Sequence, residues 1–276
     1  MATFLFWNLN KKPLLDDIVS LCDEHQVDVL ILAESEIHED TLVNKLNKNL
    51  APKFIAFPSY SSERLSFFAR YPFISFTNIS DTCQDGIAIR QISPPNSLDI
   101  LLVALHLPSK LHLDKEEQSL YVWRVVKAIQ RAENSIGHTR TLIIGDLNMN
   151  PFEAGIVASE GLHAVMDRQI ARKQSRIVQG EERLFFYNPM WGRMGDTSKG
   201  PPGTYYYSGG IISYFWNTFD QVLLRPALLD YFSDENLHIF SATRNRSLLS
   251  KAGIPDSTSA SDHLPIMISL QLERED

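Results

Sequence analysis

The chain has 276 residues, 44% hydrophobic and 21% charged, and 26 Lys and Arg against 33 Asp and Glu give a net charge of −7. That composition suits a globular protein with a substantial core, and it excludes a general basic coat for nucleic acid while leaving room for a local basic path. No stretch approaches a membrane span, no leader pattern is evident, and Cys22 and Cys83 do not make a disulfide framework, so a cytoplasmic location is the expectation.

The elements alternate between extended and helical patterns. Residues 3–9 read as a strand, and Pro13 opens a helix to about His25 whose apolar face holds Leu14, Leu15, Ile18, Val19, Leu21 and Cys22. A strand at 28–33 and a helix at 39–50, carrying Leu42, Val43, Leu46 and Leu50, follow. Short extended segments at 54–57, 65–69, 73–77 and 86–92 precede a longer strand at 98–105. Asp114 is placed to cap a helix to about Asn134, and the spacing of Leu120, Trp123, Val126 and Ile129 predicts its buried face. A strand at 140–145 and a short helix after Pro151 come next. The last third holds strand-like segments at 184–187, 203–207, 219–224, 236–241 and 264–271. The least regular region, 188–203, reads as a functional loop or a surface segment. No linker, repeat or break in composition divides the chain, so one domain over 1–276 is expected.

Several of these strands share a polar end. Thr141-Leu-Ile-Ile-Gly-Asp-Leu-Asn presents Asp146 and Asn148 two residues apart after a buried run, and in extended chain such positions face one side. A carboxylate beside a carboxamide orients a water or holds a phosphoryl oxygen, although the pair also suits a plain turn. The pattern recurs: Phe4–Trp7 ends in Asn8 with Asn10 beyond it, Val29–Ala33 ends in Glu34 with Glu36 beyond it, Leu101–Leu105 ends in His106, and Ser261-Asp262-His263 precedes Leu264–Leu270. Core strands have no structural need for such a set, whereas mixed sheets gather functional groups where strands end. One site built from all five segments is the reading.

Together these motifs resemble the endonuclease/exonuclease/phosphatase superfamily, the deoxyribonuclease-I-like group of metal-dependent hydrolases. The matches are Asn8 in Trp-Asn-Leu-Asn, Glu34 in Leu-Ala-Glu, His106 in Leu-His-Leu-Pro, Asp146 and Asn148 in Gly-Asp-Leu-Asn, Asp220 in Phe-Asp-Gln-Val-Leu-Leu, and Asp262-His263 in Ser-Asp-His-Leu-Pro-Ile. They fall in the family's order over nearly the whole chain. The resemblance implies an α/β fold, a four-layer αββα sandwich of two packed mixed sheets with helices on both outer faces. It also implies hydrolysis of a phosphate ester by in-line attack of water, assisted by Mg²⁺ or Mn²⁺. Glu34, Asn8 and Asp262 would serve the metal, and Asp146 would orient and deprotonate the water. Asn148 would hold phosphate, and His263 would stabilise the charge growing on phosphorus. Asp220 would fix the His263 tautomer, against the alternative of a structural Asp bonded to backbone. His106 would act near the leaving group, against the alternative of a packed core histidine. Asn10 stands where some members have Asp, which puts a second metal ligand there in doubt.

Two features concern substrate. Arg168, Arg172 and Arg176 recur every four residues and, on a helix, would form a basic track for a phosphate backbone or simply a solvated face. Trp191, beside Arg193 in a glycine-bounded loop, would stack on a base or anchor the loop. The other histidines are scattered, and no His or Cys cluster suggests zinc. A nuclease acting on nucleic acid is the leading expectation. Net charge favours the alternative, a phosphatase or phosphodiesterase acting on a phosphoinositide, lipid or other small phosphorylated substrate.

Overall fold

The computed structural model describes residues 1–48, 53–57, 64–70, 76–78, 86–94, 96–110 and 115–273. Leu50, Cys83 and Asp114, each assigned a place by the sequence reading, lie outside the described residues. In chain order the first half runs β1 (Ala2–Asn8), α1 (Leu15–Glu24), β2 (Val29–Ala33), α2 (Glu39–Leu46), β3 (Phe54–Phe57), β4 (Leu65–Arg70), β5 (Phe76–Asn78), β6 (Ile87–Ile92), β7 (Ile100–His106) and α3 (Lys115–Ile136). The second half runs β8 (Thr141–Asp146), α4 (Ala154–Val157), β9 (Ala164–Val165), α5 (Arg168–Ala171), β10 (Ser175–Val178), β11 (Glu181–Leu184), β12 (Phe186–Tyr187), β13 (Tyr205–Tyr207), β14 (Phe215–Asn217), β15 (Asp220–Leu224), β16 (Leu237–Ile239) and β17 (Ile266–Leu270).

Two sheets form the centre, one of order β16-β17-β1-β2-β4-β3 and one of order β5-β6-β7-β8-β15-β12-β9. Within them β1 and β2 are parallel, as are β7 and β8, while β17 and β15 run antiparallel to β1 and β8. The side-chain alternation of β7 shows how the layers stack. Leu102 and Ala104 join the large core that also holds Phe4, Phe6, Ile31 and Phe67 of the first sheet. Leu101, Val103 and Leu105 turn the other way and pack against α3 through Val125 and Ile129. Both faces of β7 are therefore buried, which is why it reads as an unbroken apolar run. Helices α1 and α2 cover the first sheet with Ile18, Leu21, Cys22, Leu42 and Leu46, completing the four-layer sandwich.

The face assigned to α3 is corrected by the structure. Leu120 and Trp123 are exposed, and the buried side carries Gln118, Val122, Val125, Ala128, Ile129, Ala132 and Glu133. Small side chains at 128 and 132 let the helix lie close on the sheet, and a buried ion pair sets its rotation. Glu133 accepts from Arg225 Nε at 2.8 Å and Nη2 at 3.2 Å, and from Thr141 Oγ1 at 2.6 Å. Apolar spacing alone does not reveal a charge that must face inward to meet its partner.

The helical stripe of arginines is also corrected. Helix α5, capped by the Asp167 carboxylate accepting from Ile170 N, spans only four residues, and Arg176 lies on β10 of a two-stranded ribbon with β11. Arg168 pairs with Asp234 at 3.0 Å, Arg172 with Asp230 at 2.8 Å, and Arg176 Nε donates to His163 Nε2 at 2.9 Å. The four-residue period is broken by a turn at Gln174, whose φ is 68°.

Candidate active site

Parallel pairing places polar strand ends side by side. Asn8 ends β1 with Ala33 as its register partner, so Glu34 follows directly beyond. His106 is paired with Asp146 at the ends of β7 and β8, and Asp146 is also opposite Asp220, the first residue of antiparallel β15. Gly145 makes this approach possible, since a Cβ there would stand 2.0 Å from the Leu105 carbonyl oxygen. His263 is brought in just before β17, its backbone held by Trp7 Nε1 donating to the His263 carbonyl at 2.9 Å and by a bridge to Tyr205. Ser261 ties the same turn to β1 by donating to the Asn8 carbonyl at 2.7 Å.

The side chains converge. His263 Nδ1 lies 2.8 Å from Asp220 Oδ2, and its Nε2 points toward Asp146 Oδ2 at 3.9 Å. Asp146 Oδ1 accepts from Asn148 N at 2.9 Å, while Oδ2 accepts from Asn148 Nδ2 and Asn8 Nδ2, each at 3.2 Å. Asn148 Nδ2 also donates to the Leu107 carbonyl at 2.8 Å. His106 Nε2 is 3.2 Å from Glu34 Oε1, which accepts from Asn8 Nδ2 at 3.3 Å. The Asn8 amide oxygen is taken by Asn10 N at 3.0 Å, so the nitrogen faces the carboxylates. Glu34 and Asn148 hold these positions with φ of 48° and 51°, a conformation that non-glycine residues adopt at some cost and that clusters at functional sites.

Burial and charge tune the groups. His263 is pulled down by burial, but the Asp220 and Asp146 carboxylates, helped by Asp262, outweigh it and push the imidazole up to about 10. It is an imidazolium at neutral pH. Burial, with the Asp220 charge adding to it, raises Asp146 above the ordinary carboxylate range against the pull of His263 and His106. Glu34 goes the other way: the His106 hydrogen bond outweighs desolvation and, with Asn8, holds it at about 2. Desolvation, followed by the charges of Asp262 and Asp146, keeps the Tyr205 phenol neutral.

These groups open on a cavity of about 630 Å³ whose walls include Glu34, His106, Asp146, Asn148, Asp262 and His263. Glu34 and Asp262 are partly exposed there, and an ionised Glu34 and an Asp262 on the same cavity supply hard oxygen donors of the kind Mg²⁺ and Mn²⁺ take. The residues therefore fit a divalent cation. Ligand atoms of Asp146, Asp220 and His263 also lie within 4.8 Å of one another, but the short Asp220–His263 bond commits those two to each other. Asp220 is fully buried, and His263 is its partner.

The substrate-facing residues divide. Arg168, Arg172 and Arg176 are not among the cavity's lining residues, and neither is Trp191, whose ring lies 6.2 Å from that of Phe152 and packs as a loop anchor. The structure instead brings in Lys110, Arg64, Tyr205, Tyr207, Ile212, Tyr214 and Phe219. Of these, the tyrosine run at 205–207 carried a signal in the sequence, in that three successive aromatics favour a strand and, with side chains alternating in direction, place rings on both of its faces. Tyr205 lies against the His263 imidazole, ring centroids 4.7 Å apart, and against Phe219 at 5.3 Å.

A carboxylate, two amides and a carboxylate-backed imidazolium at adjoining strand ends of a four-layer sandwich define a hydrolase of phosphate esters. The family model described as Endonuclease/Exonuclease/phosphatase family matches residues 5–263. The chain belongs to that family, whose members are phosphoester-hydrolysing, divalent-metal-dependent enzymes. Among solved structures it is similar to truncated TDP2 of Caenorhabditis elegans, with a TM-score of 0.58 and 14% identity over 98% of this chain and 97% of that one. An AP endonuclease from Archaeoglobus fulgidus gives 0.56 and 13% over 99% and 100%. The endonuclease domain of TRAS1, a telomere-specific non-LTR retrotransposon, gives 0.55 and 13% over 99% and 100%. At such identity these likenesses establish the fold alone. No curated protein matches the chain.

Proposed function

We propose that this chain is a Mg²⁺- or Mn²⁺-dependent phosphodiesterase that cleaves nucleic acid, working in the cytoplasm. The observation that carries the reading is the buried Asp220–His263 pair aimed at Asp146, 3.9 Å from His263 Nε2, on the wall of the cavity. Glu34 and Asp262 would hold the cation, with Asn8 donating to its carboxylate ligand. When bound, the cation would polarise a phosphoryl oxygen and partly offset the negative charge of the substrate. Asp146, made more basic by burial, accepts the proton of the attacking water as its oxygen bonds to phosphorus and the bond to the leaving ester oxygen breaks. Once substrate displaces its present contacts, His263 donates from Nε2 to a non-bridging oxygen and stabilises the charge gathering there. Asp220 keeps Nδ1 protonated and the ring in place. Asn148 Nδ2, once substrate displaces its bond to Asp146, is the amide donor for a second oxygen, and His106, held by Glu34, faces the leaving oxygen, which takes its proton from solvent water on departure.

Nucleic acid is favoured over a small substrate by the aromatic wall beside the reacting centre and by Lys110 and Arg64 on the same cavity, a combination suited to bases and their flanking phosphates. The three similar structures described above, a TDP2, an AP endonuclease and a retrotransposon endonuclease, lend support to this reading. The net charge of −7 argues for a small substrate instead. The buried free thiol of Cys22 supports a reducing compartment. The test is a hydrolysis panel in Mg²⁺ or Mn²⁺, with and without chelator: duplex and single-stranded DNA, RNA, abasic duplex, phosphoinositides and a generic diester. Chelator-sensitive cleavage of a nucleic acid is expected. Turnover confined to phosphoinositide or other small phosphate esters would overturn the nuclease reading, and full activity after exhaustive chelation would overturn the metal role.

A further inference from the structure

The segment joining β13 to β14 reads Tyr207-Ser-Gly-Gly-Ile-Ile-Ser-Tyr-Phe215, and from Thr204 to Asn217 there is no charged residue. It carries the densest group of exposed large apolar side chains among the described residues. Ile211 is 105% exposed and Ile212 83%, with Tyr207, Tyr214 and Phe215 also more than half exposed. Phe215 sits at φ 61°, an unfavourable conformation for a bulky side chain. Exposed apolar groups gathered in this way mark a surface that meets something.

The hairpin is fixed to the reacting centre at its base and open at its tip. Thr204 is fully buried, accepts from Leu264 N at 2.8 Å and bonds Asp220 N through its hydroxyl at 3.1 Å. Asn217 accepts from buried Asn150 Nδ2 at 2.8 Å, and Gly203 lies so close to Asn217 that a Cβ would stand 2.6 Å from its carbonyl oxygen. Tyr207, Ile212 and Tyr214 line the same cavity as Asp146 and His263. Tyr214 rests edge-on against Phe152, with centroids 5.3 Å apart. Also on this cavity, Lys110 Nζ pairs with Glu153 Oε1 at 2.5 Å and lies 5.2 Å from the Phe219 ring centroid, so a phosphate would compete with Glu153 for it.

We propose that this hairpin is a wedge: Ile211 and Ile212 enter between stacked bases of a nucleic-acid duplex, and the unstacked base is received on Tyr207 and Tyr214 beside the scissile phosphate. The proposal rests on the nuclease reading above and deepens it to substrates with a base step that opens readily, such as a mismatch, a bulge or a fraying end. Apolar side chains unstack base steps in this manner, and aromatic rings hold the freed base irrespective of its sequence. Lys110 and Arg64 lie where flanking phosphates would pass. A membrane is the poorer fit, because a peripheral apolar tip draws on neighbouring basic residues for anionic lipid, and this hairpin has none.

The experiment compares the full-length wild type with Ile211→Ser/Ile212→Ser and with Tyr207→Ala/Tyr214→Ala. A phosphorothioate duplex with 2-aminopurine at a bulge, in DNA and in RNA, reports unstacking as a rise in fluorescence. Wild type is expected to give that rise and the isoleucine variant to lose it. Both variants are expected to lose at least about tenfold in kcat/KM on the bulged duplex, the scale of one stacking contact, and Ile211→Ser alone, whose side chain is not part of the cavity lining, is expected to lose the fluorescence rise while staying within about twofold on bis(p-nitrophenyl) phosphate. If wild type cleaves the duplex and both variants match it, the wedge is wrong and the nuclease reading stands. If the isoleucine variant loses only its binding to phosphatidylcholine vesicles, the tip serves a lipid surface and the wedge is likewise wrong. If wild type cleaves no nucleic acid at all, the nuclease reading fails and takes the wedge with it.

Discussion

Asp220→Asn keeps the shape of a fully buried side chain and removes its charge, so it isolates what the carboxylate does for His263. The imidazole stands at about 10 in place of 6.5, which is about 5 kcal/mol of preference for the charged ring. Asp220 leads the carboxylates responsible, ahead of Asp146 and Asp262, while burial pulls the opposite way. Without that carboxylate the imidazole is less readily charged and less firmly held, and turnover at neutral pH is expected to fall about a hundredfold, the scale of a lost charge-stabilising group. The sign for stability follows from the raised value. The contribution of His263 is present in full below its unfolded value of 6.5 and is lost as pH rises through about 10. The gap in urea midpoint between wild type and variant is therefore widest near neutrality and below, and closes in strong alkali. Histidine-selective NMR titration, run beside pH–rate profiles, measures both effects and reports whether the variant is folded. In wild type the His263 resonance stays in its protonated position through neutral pH, and in the variant it titrates much lower. An unchanged titration midpoint in a folded Asp220→Asn protein, or near-normal turnover, would refute the argument.

Glu34→Gln removes the ionised oxygen donor that faces the cavity, and Mn²⁺ affinity measured by calorimetry is expected to fall at least about tenfold; unchanged affinity would move the cation elsewhere. Glu133→Ala strands Arg225 without its carboxylate in a site where both are 3% exposed, and is expected to cost about 3–5 kcal/mol in denaturant unfolding. A loss under about 1 kcal/mol would show that the pair is dispensable. Replacing Arg168, Arg172 and Arg176 together with Gln is expected to leave the salt dependence of nucleic-acid binding unchanged, since their partners are Asp234, Asp230 and His163. A flatter salt slope in that variant would show that the three arginines follow a phosphate backbone even without sharing a helix.

What the linear chain determined by itself is the scaffold and its chemistry. Strands buried on both faces must be apolar throughout, so β1, β2, β7, β8, β15 and β17 announce themselves, and a polar group at the end of each stands out against that run. Asn8, Glu34, His106, Asp146, Asn148, Asp220, Asp262 and His263 were legible for this reason, and the fold brings them to one cavity wall or, for Asn8 and Asp220, directly behind it. Tertiary structure decided whatever depends on a partner distant in sequence. The rotation of α3 follows Glu133 seeking Arg225 across 92 residues, which no local periodicity encodes. The arginines at 168, 172 and 176 share a spacing but not a helix, because a turn at Gln174 sends the third onto a ribbon. The aromatic wall is built by a hairpin whose register to His263 exists only once β15 and β17 have placed its two ends. Apolar burial is written residue by residue along the chain, whereas the facing of a charge and the neighbour of a loop are settled only when distant strands pair.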